Sequence, residues 1–212
     1  AIGGGAPVSI QSMTNVDTRN TDLLVRQINE LADAGCQIVR CAIPDMDAAE
    51  SFGRAKKLVK VPLVADIHFD YRLALQCIEN GVSALRINPG NIGRGEVVKK
   101  VVDSAKEHAV PIRIGINGGS LEKNLEALDI PLAEKMVKSA MRHIKILEDN
   151  DFDQIKISLK SSDVLTTIEA YRLMAQKTDY PFHLGVTEAG TLKGGLIKSA
   201  IGLGTLLADG IG

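Results

Sequence analysis

Cationic side chains recur within and just past short apolar runs: Arg40 in Ile38–Ala42, Arg86 in Ala84–Asn88, Arg113 in Ile112–Ile116, and Lys156 in Ile155–Leu159 with Lys160 just beyond. His68 follows Ala65-Asp66-Ile67. Side chains two apart on a strand share a face, so Arg86 aligns with Asn88, Arg113 with Gly115 and Asn117, Lys156 with Ser158 and Lys160, and Asp66 with His68. If those faces point inward, an apolar surround encloses more cations than Asp66 and Glu188 can balance. Burying unpaired charge costs several kcal/mol per ion, so the pattern calls for an anionic ligand. Arginine's planar fork suits two-point contact with phosphate, and asparagine side chains can complete the coordination. The loop Asn88-Pro89-Gly90-Asn91-Ile92-Gly93-Arg94-Gly95 leads into a helix and could add backbone N–H groups, although it lacks the Gly-Lys-Ser/Thr ending of a Walker loop. Glu188, after Gly185-Val186-Thr187, suits a base, an acid or a partner for a substrate hydroxyl.

Each of these residues has a plainer use. The cations could face outward and pair with helix acids, His68 could be structural, and Glu188 could sit in the first turn of a helix. His183 has inward parity near a strand start and suits packing. Ser120 suits the cap of a helix beginning Leu121-Glu122, and His108 and His143 fall in helical patterns as solvated residues. Cys36, Cys41 and Cys77 read as small buried apolar residues, Cys41 beside Arg40 being the one to test for reactivity.

The elements that must position these groups follow from periodicity. Strand-like runs at Val8–Met13, Ile38–Ala42, Leu63–Ile67, Ala84–Asn88, Ile112–Ile116, Ile155–Leu159 and Phe182–Thr187 alternate with amphipathic segments such as Asp22–Ala34, Ala133–Glu148 and about Leu192 to Leu207. That alternation predicts repeated βα units around a parallel sheet. Gly35 and Gly81 mark helix ends, and Pro62, Pro111 and Pro181 introduce strands. A complete (β/α)8 TIM barrel takes roughly 250 residues. This chain has 212, opens on Ala1 and closes on Gly210-Ile211-Gly212. The expectation is a single α/β domain over residues 1–212, a TIM barrel truncated before its eighth strand. An open doubly wound sheet would need a Gly-rich fingerprint after its first strand, and none is present.

Composition sets the outer limits. The chain is 45% hydrophobic and 24% charged, with Lys+Arg 25 against Asp+Glu 26 for a net charge of -1. Those values exclude disorder and low complexity and give no global basic field for nucleic acid, so any charged site is local. Apolar stretches are interrupted well before a membrane-spanning length and no signal-peptide order opens the chain, which predicts a cytosolic protein. With three cysteines and no C-x-x-C, neither a disulfide framework nor a metal site is indicated.

Several long strings resemble one family. Gln11-Ser12-Met13-Thr14-Asn15, Pro62 to Arg72, Leu85 to Gly93, Pro111 to Asn117, Gly185 to Gly190 and Lys198 to Gly204 are similar in order and spacing to 4-hydroxy-3-methylbut-2-enyl diphosphate synthases, over essentially the whole chain. The resemblance implies a reductive opening and dehydroxylation of 2-C-methyl-D-erythritol 2,4-cyclodiphosphate in the non-mevalonate isoprenoid pathway. It implies two electrons from ferredoxin or flavodoxin through a [4Fe-4S] cluster. By motif position Arg40, His68, Arg86, Arg113 and Lys160 match diphosphate ligands, with Asp66, Asn88 and Asn117 beside them. Thr187 and Glu188 match the pair near the reacting carbon. In the family a separate C-terminal domain holds the cluster through three Cys and one Glu; this sequence lacks it, and none of Cys36, Cys41 and Cys77 lies at a ligand position. It also lacks the family's following strand, of the form Asp-Thr-x-Arg-Val-Ser. The resemblance further implies a homodimer when full length, with no nucleic acid or membrane partner, in the bacterial cytoplasm, a plastid location staying open. Two other readings remain at this point: a dihydropteroate-synthase-like barrel transferase, and a non-catalytic barrel kept as a binding module.

Overall fold

The structure is a computed structural model that describes residues 1–93 and 95–212. Its strands, β1 (Gln11–Met13), β2 (Ile38–Ala42), β3 (Leu63–Asp66), β4 (Ala84–Arg86), β5 (Ile112–Asn117) and β6 (Ile155–Lys160), form one sheet in sequence order. From β1 to β5 each neighbouring pair runs parallel. The helices between and after them are α1 (Thr21–Asp33), α2 (Met46–Leu58), α3 (Tyr71–Glu79), α4 (Pro89–Ile92), α5 (Glu96–Glu107), α6 (Lys123–Glu126), α7 (Leu132–Glu148), α8 (Val164–Ala175) and α9 (Leu192–Ala208). Strand, helix, next strand in order is the connectivity of a (β/α) barrel.

By internal contacts the chain divides into two compact units. One comprises residues 8–113 with 147–154; the other comprises 1–7, 114–146 and 155–212.

In the first unit the strands are fully buried runs such as Leu63-Val64-Ala65 and Ile38-Val39, as expected of a parallel sheet covered on both faces. Helices start on carboxylate or amide caps: Asn20 accepts from the Leu23 N–H, Asp45 from Ala48 and Asp70 from Arg72. Gly35 and Gly81, at φ +95° and +77°, close α1 and α3 in the left-handed region that glycine adopts without strain. Pro62 and Pro111 stand just before β3 and β5; each lacks an N–H, but its carbonyl accepts from the preceding strand, from Val39 and Leu85 at 3.0 Å. The first strand is shorter than the Val8–Met13 of the sequence reading. Before Gln11 the Ile10 N–H turns to the Gln37 side chain at 2.9 Å while the Ile10 carbonyl still accepts from the Ile38 N–H at 3.2 Å, and Val8 and Ile10 are exposed.

In the second unit β6 is buried through Leu159, and α8 and α9 pack on each other. The predicted strand Phe182–Thr187 is not one. A single parallel bridge, Ile157 with Phe182, is formed, with the Pro181 carbonyl accepting from Ile157 and the His183 N–H donating to Ile157. The next tie is the Thr187 N–H to the Ser161 carbonyl at 3.2 Å. Between these two anchors the segment meets the Lys160 side chain, whose Cε and Nζ would lie 2.9 Å from a Cβ on Gly185. Gly185, with no Cβ, leaves room for that side chain.

Candidate functional site

The site is built first in the unit of residues 8–113. Register places Asp66, the last residue of β3, level with Arg86 at the end of β4, and Arg86 level with Arg113 on β5. In-register residues of neighbouring parallel strands share a face, so the parity reading of the sequence holds for this row. Asp66 Oδ1 accepts from Arg86 Nη1 at 3.2 Å, and its Oδ2 lies 3.8 Å from Arg40 Nε and 3.6 Å from His68 Nε2. His68 Nε2 is also 3.5 Å from Arg86 Nη1. Arg40 is anchored from its other side by Met13, whose Sδ accepts from Nε at 3.1 Å and from Nη2 at 2.9 Å. Arg113 is only 1% exposed and Arg86 7%, whereas the His68 side chain is 57% exposed. The cluster therefore grades from a buried cationic floor to an open imidazole.

One carboxylate thus faces two guanidiniums and an imidazole. Burial alone would push the Asp66 carboxyl up, but His68 beside it and the charges of Arg86 and Arg40 outweigh that and hold it down to about 2. Burial presses the Arg40 guanidinium below its ordinary value, with Asp66 opposing; a guanidinium remains protonated throughout. A residual positive charge in a partly desolvated setting is what a phosphate needs, since charged, forked contacts gain most where water is excluded. Because the Asp66 carboxyl is depressed in the fold, its contribution to stability is present above the unfolded value near 3.8 and is lost as pH falls toward 2. The shift corresponds to about 2 kcal/mol. Urea unfolding followed between pH 5 and pH 2.5 is expected to show that loss in the wild type and not in Asp66→Asn; parallel curves would contradict the assignment.

Asn88 follows β4 and stands at the N-terminus of α4, where its side chain makes no capping bond and its carbonyl accepts from Asn91 at 2.8 Å. The loop expected to cradle an anion is therefore largely the short helix α4; its Arg94 lies outside the described residues.

In the other unit, Asn117 and Lys160 are the last residues of β5 and β6, and the Gly118 N–H bonds the Lys160 carbonyl at 2.8 Å. Lys156 and Ser158 are buried on β6, Ser158 donating to the Ile114 carbonyl. Thr187 hangs from Ser161. Glu188 is exposed and adopts φ +49°, which for a non-glycine residue is uncommon and costs roughly 1 kcal/mol. It caps nothing: Thr191 is the N-cap of α9, its hydroxyl accepting from Gly194. Helix-capping use of Glu188 is thereby removed.

Other expectations are corrected. Ser120 does not cap a helix beginning at Leu121, because α6 starts two residues later behind Glu122 and the Ser120 N–H closes a turn on Asn117. His143 is not solvated but 4% exposed, 3.6 Å from Glu122; burial lowers its pKa, with Glu122 opposing. His108 is exposed at the end of α5, as expected. His183 is half-buried, its backbone N–H donating to the Ile157 carbonyl and its carbonyl accepting from the Tyr171 hydroxyl. All three cysteines are buried; burial pushes Cys41 up to about 11 and Cys77 up to about 12, so Cys41 is not a reactive thiolate. Those thiols do not fit a cluster that needs thiolate ligands, and among the described residues no three His, Cys, Asp or Glu gather as a metal site. A groove of about 750 Å³ between α6, α7 and α8, lined by Leu125, Val137, Met141 and Leu173, holds none of the expected site residues. Reading the sequence alone missed Met13, Thr167 and Tyr171. The last two are polar residues four apart on the buried face of α8, a spacing that could have marked them.

Parallel strands in sequence order, joined by helices and carrying guanidiniums around one carboxylate near the strand ends, define a (β/α)-barrel protein. Comparison with known proteins narrows this. A family model described as the GcpE TIM-barrel domain matches residues 1–212, and the chain belongs to that family. It is 59% identical over 212 residues to the 4-hydroxy-3-methylbut-2-en-1-yl diphosphate synthase (flavodoxin) of Geobacter sulfurreducens, and 60% identical to that of Clostridium perfringens. In both cases all of this chain is covered but only 60% and 61% of the relative, so the chain spans about three-fifths of their length. Among solved structures, a Coxiella burnetii dihydropteroate synthase with pteroic acid superposes at TM-score 0.67 with 8% identity, covering 92% of this chain and 83% of that one. A 3-dehydroquinate dehydratase from Geobacillus kaustophilus does so at 0.60 with 15% identity, covering 94% and 82%. These two share the fold alone. The dihydropteroate-synthase reading is accordingly set aside in favour of relatives near 60% identity.

Proposed function

We propose that the chain is the substrate-binding barrel of a 4-hydroxy-3-methylbut-2-en-1-yl diphosphate synthase acting on 2-C-methyl-D-erythritol 2,4-cyclodiphosphate. The observation that carries this is the Asp66-centred array of Arg40, Arg86 and His68, in register with Arg113. In this reading Arg113 and Arg86 take diphosphate oxygens from the buried side and Arg40 and His68 from the open side, with Asn88 completing the coordination. Asp66 orients the cations and does not itself meet the phosphate, since two anions in contact would repel. For Lys160 and Asn117, at the ends of β6 and β5, a role toward the diphosphate is proposed on the resemblance alone.

Thr187 and Glu188 are assigned to the reacting carbon. Reductive opening of the ring breaks a C–O bond, takes up two electrons and releases the hydroxyl as water, which needs a proton. Glu188, held at φ +49°, supplies that proton or the hydrogen bond to the departing hydroxyl. The [4Fe-4S] cluster that the resemblance implies does not fit the buried thiols of this chain. We therefore assign it to the further length that the relatives possess, and the chain by itself binds substrate without reducing it. The relatives' names specify flavodoxin, and flavodoxin is the electron donor in this proposal, ferredoxin serving the same chemistry. A homodimer, a cytoplasmic location and one barrel domain over residues 1–212 belong to the proposal on the strength of the resemblance; no helix is long and apolar enough to cross a membrane among the described residues.

Incubating the full-length protein with the cyclodiphosphate and reduced flavodoxin should yield 4-hydroxy-3-methylbut-2-enyl diphosphate by mass spectrometry. Recovery of unchanged cyclodiphosphate from a folded, cluster-loaded protein would refute the reading.

A further inference from the structure

The segment Phe182–Glu188 is tied to β6 by a single bridge in place of a ladder, yet Thr187 and Glu188 sit at its end. What replaces the ladder is polar and comes from α8. Tyr171 is fully buried; its hydroxyl accepts from the Leu159 N–H of β6 at 3.0 Å and donates to the His183 carbonyl. Its ring meets Phe182 edge-on, 5.6 Å between centroids. One turn earlier on the helix, Thr167 is 1% exposed. Its hydroxyl accepts from the Ser161 N–H at 3.1 Å and donates to the Asp163 carbonyl at 2.9 Å. The Ser161 carbonyl in turn accepts from the Thr187 N–H. Each hydroxyl thus both accepts and donates, and Thr167 Oγ1 also lies 3.3 Å from the Ser161 carbonyl.

We propose that Tyr171 and Thr167 are positioning residues for the reaction, a two-point strut on α8 that sets where Thr187 and Glu188 stand. The tyrosine fixes the entry of the segment against β6, and the threonine fixes the Ser161 backbone on which its exit hangs. The left-handed backbone at Glu188 persists because both ends are held; a strained φ survives only where its surroundings over-determine it. This inference rests on the assignment of Thr187 and Glu188 to the reacting carbon.

Tyr171→Phe keeps the ring and its packing and removes the hydroxyl; Thr167→Val keeps the shape, and Thr167→Ser restores a hydroxyl. Amide hydrogen exchange of residues 182–188, followed by mass spectrometry on this chain, should quicken at least tenfold in Tyr171→Phe and Thr167→Val and return toward wild type in Thr167→Ser. In the full-length enzyme the first two should lower kcat about tenfold or more with KM for the cyclodiphosphate unchanged, and Thr167→Ser should recover most of it. Should Thr167→Val fail to fold, Tyr171→Phe, which keeps the packed ring, carries the test with Thr167→Ser as the conservative comparison. Unchanged exchange in the segment overturns the strut whatever the activity does. Quickened exchange with kcat intact overturns the positioning role. Full activity in Glu188→Gln would instead sink the assignment of Glu188 while leaving the exchange result standing, so the two failures are distinguishable.

Discussion

Glu188→Gln in the full-length enzyme is expected to lower turnover by about a thousandfold, within the range that a lost general acid or base spans, while leaving cyclodiphosphate affinity within about twofold. The amide keeps the size of the side chain and its hydrogen-bonding reach but cannot deliver a proton. No hydrogen bond or capping duty of Glu188 is disturbed by the change, because Thr191 serves α9 and the backbone holds φ +49° through its neighbours. Rapid-mixing turnover beside calorimetric titration separates the two quantities. Wild-type kcat in that variant would remove the residue from the chemistry; loss of affinity equal to the loss of rate would make it a ligand.

The second large effect concerns the buried guanidiniums. Arg113→Ala is expected to weaken cyclodiphosphate binding by about a hundredfold, the equivalent of one or two charge-assisted hydrogen bonds. Arg113→Lys should recover only part, since the ammonium keeps the charge and loses the fork. Arg86→Ala differs in kind. It removes a cation that Asp66 Oδ1 contacts at 3.2 Å in a site where the Asp66 side chain is 6% exposed, and breaking a buried pair from one side costs about 3 kcal/mol or more in stability. Affinity and urea midpoint should therefore both fall in Arg86→Ala. Titration calorimetry and chemical unfolding of the same preparations give both numbers. Unchanged affinity in Arg113→Ala would mean that the row Asp66, Arg86, Arg113 does not face the substrate.

The row itself was legible in the sequence. Period-two alternation around Asp66, Arg86 and Arg113 is written in residues whose opposite face is isoleucine, leucine or alanine, and the parallel register then makes the three level. Strand β2 and the proline-led starts of β3 and β5 were readable for the same reason: an apolar run punctuated by proline or glycine has few alternatives. Phe182–Thr187 misled because its residues have strand character, but pairing is not a local property. Among the described residues the segment's one bridge joins Phe182 to Ile157, and its far end hangs on the bond from the Thr187 N–H to the Ser161 carbonyl. His143 misled in another way. A helical pattern fixes which face a residue occupies only when the partner of that face is known, and Glu122 lies in a separate element 3.6 Å away. The contacts of Tyr171 were hidden for the same cause, since its hydroxyl joins the β6 backbone to the segment beyond α8; Thr167 bonds only the start of its own helix, and its spacing from Tyr171 is the signal that could have marked both. The three cysteines were read correctly as buried; what their spacing could not supply was the raised thiol pKa that makes Cys41 inert.

The most direct measurement is calorimetric titration of the protein with 2-C-methyl-D-erythritol 2,4-cyclodiphosphate, beside 2-C-methyl-D-erythritol lacking phosphate, at two salt concentrations. The account predicts one site per chain for the cyclodiphosphate that weakens as salt rises, competition by inorganic pyrophosphate, and no heat with the unphosphorylated polyol. Equal binding of the polyol, or cyclodiphosphate binding that survives Arg86→Ala with Arg113→Ala unchanged, would contradict the cationic array as the substrate site.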